Sequence, residues 1–338
     1  LSLSLSLVAC CLASSSSSLL YSTTQHSCFM YKTTSIRVLG LKQYVNNINT
    51  TSTTRTRTKT IRRTMATKAY KYEFGKLITG APVRGEHEKT VIMLHGLGDT
   101  GDGWSFCRDH MQMENVKWLF PTAPTRPISC NMGMAMPGWF DLRLLPLSAS
   151  MDEQDDNKAS KEALDKFTNE EDINDSVRYC LSLVDKEIEQ GVPPNKIVLG
   201  GFSQGGLIAA RAALLCKHRL AACVLLSSWI GNFGEDASKL QDLPFFIGHG
   251  DVDPMVPLEL GKKSYAYIKE LGNEVTMKTY RGVAHSCNME ELDDLKDFLI
   301  ESLEDQVTME DLEGMSAGKL KKWLLSKRVD IAGCLEKS

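Results

Sequence analysis

One stretch constrains this chain more than any other. Lys196-Ile197-Val198-Leu199-Gly200 is a short, β-branched run suited to a buried parallel strand, and it leads directly into Gly201-Phe202-Ser203-Gln204-Gly205-Gly206 and a helical pattern over 207–217. Strand, G-x-S-x-G and helix in that order describe a sharp turn that holds a serine hydroxyl exposed above the end of a sheet. Glycines two before and two after Ser203 remove Cβ atoms that would collide in such a turn. A bare G-x-S-x-G arises by chance in about one chain of this length in ten, so the strand-to-helix context carries the inference.

A nucleophilic serine needs a base, and in α/β-hydrolases the partners follow in the order Ser, Asp or Glu, His, each on a loop after a strand. Two further apolar runs, Ala222-Cys223-Val224-Leu225-Leu226 and Pro244-Phe245-Phe246-Ile247-Gly248, read as strands. The second opens into His249-Gly250-Asp251-Val252-Asp253-Pro254-Met255-Val256-Pro257, which offers two carboxylates, Asp251 and Asp253. Beyond that loop there is one histidine, His285, after the strand pattern of 275–280; the other six precede both acids, so the base is assigned by elimination. The bland alternative is a surface-loop histidine.

Acyl transfer also needs donors aimed at the developing oxyanion. One should be the backbone N–H of Gln204, next to the nucleophile, and the candidate for the other is Leu97 N–H, in the loop His95-Gly96-Leu97-Gly98-Asp99-Thr100-Gly101 after the strand Val91-Ile92-Met93-Leu94. That loop also spells G-x-G-x-x-G, a dinucleotide fingerprint if a helix opens there and an acid ends the second strand. Glu114 precedes the strand of 116–120 and Pro121 ends it, which counts against a nucleotide site.

Five segments then resemble the acyl-protein thioesterase and lysophospholipase family: the 95–101 loop, Phe120-Pro121-Thr122-Ala123-Pro124, Asn131-Met132-Gly133-Met134-Ala135-Met136-Pro137-Gly138-Trp139-Phe140-Asp141, the 201–206 turn and the 249–257 loop, within roughly residues 88–302. The resemblance implies an α/β-hydrolase fold, a mostly parallel central sheet flanked by helices. It implies a cytosolic enzyme that removes palmitoyl groups from cysteine thioesters and also cleaves lysophospholipids and small esters, with peripheral contact with membranes. By the same similarity the triad is Ser203, Asp253 and His285, with Asp251 a turn residue, and Leu97 and Gln204 form the oxyanion hole. Met132, Met134, Met136 and Trp139 would line an acyl channel, where pliable thioethers suit a pliable chain; the methionines could equally be core filler. The chain departs from the family at Asp102, where His is common, and over 141–167, whose acidic stretch Met151-Asp152-Glu153-Gln154-Asp155-Asp156-Asn157-Lys158 reads as a solvated loop.

Composition bounds the rest. With 42% hydrophobic and 24% charged residues the chain can build one sizeable core. The expected organisation is a disordered leader over 1–72, a catalytic domain over 73–304 and a helical extension over 305–338. No acid precedes Glu73, whereas ten of the 39 basic residues do, which leaves 29 against 42 acids in the remainder. A body that acidic is a poor partner for nucleic acid. The Ser/Thr-rich, basic residues 1–64 read as an organelle transit peptide, as a signal around the apolar run 7–13, or as sequence upstream of a start at Met65. Ten scattered cysteines, with no CxxC or HExxH, point to a reduced protein without a metal, and the two-step acyl transfer needs no cofactor. In the extension, Ser316 caps a helix over 317–327 with Leu320, Trp323 and Leu324 on one face. The run to Ser338 resembles part of a two-helix SAP module; a tail helix packed on the body is the plainer reading. Two rival functions follow: a general short-chain carboxylesterase, and a non-enzymatic binding protein that uses the C-terminal helix.

Overall fold

The computed structural model describes residues 69–147, 168–230, 242–304 and 314–326. In chain order its strands are β1 (Leu77–Gly80), β2 (Lys89–Leu94), β3 (Val116–Pro121), β4 (Thr125–Ile128), β5 (Met134–Pro137), β6 (Ile197–Phe202), β7 (Ala222–Leu226), β8 (Phe245–Gly250) and β9 (Val275–Tyr280). Its helices are α1 (Gly101–Trp104), α2 (Phe106–Met111), α3 (Glu170–Glu189), α4 (Gln204–Leu215), α5 (Leu258–Glu270), α6 (Met289–Leu303) and α7 (Ala317–Ser326).

Seven strands form one sheet in the order β1-β3-β2-β6-β7-β8-β9. β1 runs antiparallel to β3, and the other neighbours are parallel. The central strands β6 and β7 carry no polar side chain because both faces are covered. Ile92 and Leu94 of β2 face one core with Ile173 and Val177 of α3 and Leu207 and Ile208 of α4. Val91 and Met93 face the other, with Cys107 and Met111 of α2 and Leu292, Leu295 and Leu299 of α6. Helix α4, wedged between strands and α3, is buried almost all round, so its sequence lacks an amphipathic stripe. Asn169 and Asn288 cap α3 and α6 by accepting from first-turn amides.

Strands β4 and β5 pair as a separate antiparallel hairpin. Arg126 of β4 pins it to α3 through a 2.8 Å ion pair with Asp172, both side chains being almost inaccessible. Such a pair fixes a geometry more than it adds stability. Neither β1 nor this hairpin is read in the sequence: Pro127 looks like a breaker, and Met134-Ala135-Met136 has no β-branched residue.

Residues upstream of 73 also pack on the body. Lys71 N–H donates to Asp175 at 2.9 Å, and the Tyr70 ring lies edge-on to Phe74 and Tyr179. Residues 1–68, the acidic stretch 151–158 and the SAP-like run 327–338 lie outside the described residues, as does the Trp323 side chain. The chain divides into one unit, Ser52–Glu304, and a second that includes Asp305–Ser338, where α7 buries Leu320 and Leu324. No described helix is long and apolar enough to cross a membrane.

Candidate active site

Parallel strands send their carboxyl ends to one edge, where loops from non-adjacent strands can meet. Ser203 follows β6, Asp253 follows β8, His285 follows β9 and Leu97 follows β2. His285 Nδ1–H donates to Asp253 Oδ2 at 2.7 Å, and His285 Nε2 faces Ser203 Oγ at 2.9 Å. Three side chains distant in sequence thus form one line along which a proton can pass.

Ser203 occupies φ 52°, ψ −120°, a conformation that a non-glycine residue holds only when its surroundings impose it. Ser203 N–H donates to Leu226 O at 2.8 Å, and Ser228 Oγ donates to Ser203 O at 2.7 Å. The flanking glycines are required by close approach. A Cβ on Gly201 would come within 2.3 Å of Gly205 C, and one on Gly205 within 2.5 Å of the carbonyl oxygens of Leu94 and His95.

The two candidate acids separate by their partners. Asp251 Oδ1 accepts from Gly282 N–H at 2.6 Å, which ties two turns together. Asp253 is buried; its Oδ1 accepts from the amides of Met255 and Val256, each at 2.9 Å, and its Oδ2 from His285. Burial alone would raise its pKa, yet the bonds from His285, Val256 and Met255 prevail and hold the carboxyl below the usual range. His249, which sequence reasoning passed over, is fully buried beside this acid. Its Nε2–H donates to Val256 O at 2.8 Å and lies 3.6 Å from Asp253 Oδ2. Burial lowers its pKa, so it is neutral and braces the loop. Its place at the end of β8, two residues before Asp251, was the available signal. The Phe202 ring packs on His285 at 4.8 Å between centroids and shields one face of the imidazole.

Gln204 is the first residue of α4, so its N–H is among the four that no intrahelical carbonyl satisfies. Its side chain turns the other way: Trp139 N–H donates to Oε1 and Nε2–H donates to Phe140 O, both at 2.8 Å. Leu97 lies half-buried in the loop after β2, where Gly98 N–H donates to Pro137 O at 2.8 Å.

The expected acyl-channel residues divide. Met136 is half-buried against Gly98, whereas Met132 and Met134 stand exposed at the hairpin tip, Met132 at 87%, which rules them out as core filler. Trp139 requires a correction. Its side chain is 0% exposed and its indole N–H donates to His95 O at 2.8 Å, so it has no surface to offer a substrate. The methionines of this segment read as a channel because their chemistry suits one, and the buried tryptophan beside them was carried along with it. In the G-x-G-x-x-G loop, the helix that opens is a single turn, α1, and β3 ends at Pro121. Among the described residues no group of His, Cys, Asp and Glu could hold a metal ion.

Beneath the site, Glu291 in the first turn of α6 is fully buried under Gly248, its carboxylate against the Cys287 thiol and the Asn288 amide without a well-formed hydrogen bond to either. Burial pushes its pKa from 4.5 to about 7, with Asp294 adding to the rise. Tyr280, bonded to Asp294, adds no cation. A carboxyl whose folded pKa is raised contributes stability that is fully present below about pH 4.5 and lost as pH rises through about 7. Glu291→Gln cannot ionise and keeps a capping residue three after Asn288. It is expected to melt above the wild type at pH 8.5, by at most about 3 kcal/mol, with the gap closing toward pH 5. Thermal melts across that range test this, and a gap independent of pH would contradict it.

Sheet order, elbow and edge loops, taken with the relatives below, make the chain a serine hydrolase of the α/β-hydrolase fold. It belongs to the phospholipase/carboxylesterase family, whose model matches residues 81–303. Its relatives include acyl-protein thioesterase 1 of Gibberella zeae, 39% identical over 232 residues that span 66% of this chain and 94% of that protein. Acyl-protein thioesterase 1 of Neurospora crassa is 40% identical, over 66% of this chain and 90% of that one. Among solved structures, Arabidopsis thaliana SOBER1 aligns with a TM-score of 0.55 at 28% identity, over 64% of this chain and 99% of its own. Zea mays acyl-protein thioesterase 2 aligns at 0.55 and 26%, over 68% and 100%.

Proposed function

We propose that this chain is an acyl-protein thioesterase that cleaves S-acyl cysteine thioesters, with lysophospholipids and small esters as further substrates. The observation that carries the reading is the hydrogen-bonded line from Ser203 through His285 to Asp253. Its relatives named acyl-protein thioesterase support the choice of substrate.

In the first step Ser203 Oγ attacks the thioester carbonyl carbon while its proton passes to His285 Nε2. The imidazolium that forms is held by the Asp253 carboxylate, and the tetrahedral oxyanion by the N–H groups of Leu97 and Gln204. Collapse of the intermediate breaks the carbon–sulfur bond, and the cysteine sulfur leaves with the proton from His285. Water then attacks the acyl-Ser203 carbonyl, gives a proton to His285, and the fatty acid departs as the serine recovers its hydrogen. Every proton moves between Ser203, His285, the substrate and water, so the cycle calls for no cofactor. The reading extends to a cytosolic enzyme that meets membrane-bound substrates at the bilayer surface.

A short-chain carboxylesterase would share this machinery and differ in the pocket. Comparison of an S-palmitoyl cysteine peptide with p-nitrophenyl acetate separates them. The expected result is a kcat/KM at least about tenfold higher for the palmitoyl substrate, since two methylenes buried in an apolar slot, at ~0.8 kcal/mol each, are worth that much. The reverse preference would assign the chain to short esters. A non-enzymatic binding protein would leave Ser203 unlabelled by a fluorophosphonate probe.

A further inference from the structure

The two proposed oxyanion donors stand on different elements, 107 residues apart in sequence: Leu97 N–H in the loop after β2, Gln204 N–H at the start of α4. An oxyanion hole works only if its donors keep a fixed separation before charge develops, because reorganisation at that moment would forfeit the gain. Something must therefore clamp one element to the other.

The short segment from Pro137 to Phe140 touches both. On the side of the loop, Pro137 O accepts from Gly98 N–H at 2.8 Å, and the Trp139 indole N–H donates to His95 O at 2.8 Å. On the side of the helix, Trp139 N–H donates to Gln204 Oε1 and Phe140 O accepts from Gln204 Nε2–H, both at 2.8 Å. Two of the four bonds hold His95 and Gly98, which flank Leu97 within two residues, and the other two hold the Gln204 side chain itself. Ser176 Oγ on α3 donates to Trp139 O at 2.5 Å and anchors the bridge from behind. The loop is stiffened once more by His95, whose Nδ1–H donates to Gly96 O at 2.6 Å while its Nε2 accepts from Ala123 N–H at 2.9 Å. Only the neutral imidazole can serve both contacts, and burial lowers its pKa accordingly.

We infer that Trp139, together with the Gln204 carboxamide, is a positioning device that sets the separation of the Leu97 and Gln204 donors. The inference rests on the reading of those two amides as the oxyanion hole. Trp139 touches no substrate. It acts through the backbone it holds, which is why a bulky, fully buried indole stands at the exit of the hairpin beside the nucleophile turn.

A second buried tryptophan supplies the control. Trp118 of β3 lies in the core on the opposite face of the sheet, 1% exposed, and its indole N–H has no hydrogen-bond partner among the described residues. Trp118→Phe removes the same atoms as Trp139→Phe without breaking a hydrogen bond. The experiment uses the full chain, with three readouts: kcat and KM on p-nitrophenyl butyrate, melting temperature, and affinity for an alkyl trifluoromethyl ketone against its non-fluorinated methyl ketone. The fluorinated ketone adds Ser203 to give an alkoxide that must sit in the hole.

For Trp139→Phe, kcat is expected to fall about 10- to 100-fold, less than the loss of a whole donor. KM should stay within about twofold, and affinity for the trifluoromethyl ketone should weaken in step with kcat. Gln204→Met, which keeps the backbone donor but severs the other half of the bridge, is expected to behave alike and provides an independent variant if Trp139→Phe does not fold. Trp118→Phe should lose melting temperature and keep kcat. If Trp139→Phe and Gln204→Met retain both kcat and ketone affinity while melting earlier, as the control does, the bridge is structural and the inference is overturned. If the wild type itself binds the fluorinated ketone no more tightly than the methyl ketone, the oxyanion hole falls, and the bridge with it.

Discussion

Ser203→Ala is expected to lower kcat on p-nitrophenyl butyrate by about 10⁴- to 10⁶-fold, with His285→Ala in the same range and the double variant hardly worse than either. The non-additivity follows from the geometry. Ser203 Oγ and His285 Nε2 are 2.9 Å apart, and each is useless in this step without the other: the hydroxyl needs a proton acceptor in reach, and the imidazole has nothing else to activate. What remains after both are lost is what binding and the two backbone donors supply without a nucleophile. Neither change should disturb the fold, because the turn is held through the Ser203 backbone, whose N–H donates to Leu226 O and whose carbonyl accepts from Ser228 Oγ, and not through the Ser203 hydroxyl. Steady-state kinetics with labelling by a fluorophosphonate checks the pair: the wild type should label, Ser203→Ala should not, and His285→Ala should label far more slowly. Near wild-type turnover by either variant would refute the assignment.

How much of this is legible in the sequence depends on whether the information is local. The central strands that carry the site are readable because burial on both faces leaves no polar alternation to confuse, as in β7, all five residues of which are buried; β9, at the sheet edge with Thr276 and Thr279 exposed, is readable from its β-branched and aromatic residues instead. The nucleophile turn was readable because its constraint is steric: two glycines stand where backbone leaves no room for a Cβ. His285 emerged by elimination, as the one histidine after both acids. The hairpin was not readable, since what holds β4 and β5 together is tertiary: Arg126 paired with Asp172 on a helix more than forty residues away. The roles of Trp139 and the Gln204 side chain are hidden for the same reason, being hydrogen bonds to one another and to Phe140 and His95 across the core. Asp251 and Asp253 stand two apart in one loop, and only their partners, a glycine amide for one and an imidazole for the other, separate them.

That separation yields the second large effect. Asp253→Asn is expected to reduce kcat by about 10⁴-fold, whereas Asp251→Asn should stay within about twofold. The reason lies in which oxygen faces what. Asp253 Oδ1 accepts from the amides of Met255 and Val256, so an asparagine at 253 must keep its carbonyl oxygen there to leave neither donor unpaired in a buried turn. Its NH₂ then points at His285 Nδ1, where the carboxylate had accepted. A donor facing Nδ1 forces the proton of the neutral imidazole onto Nε2, the atom that must receive the proton of Ser203, so the base is present in place and in the wrong tautomer. At position 251 the asparagine keeps a carbonyl oxygen for the Gly282 amide, and nothing in the proton path changes. Because the Asp253 carboxyl is held below its usual range, it stays ionised at every pH above about 5, so its own protonation does not narrow the deficit of Asp253→Asn in that range. Rate profiles of the two variants from pH 5 to 9 decide it: a large loss at 251 with little at 253 would exchange the roles of the two acids and break the line drawn through His285.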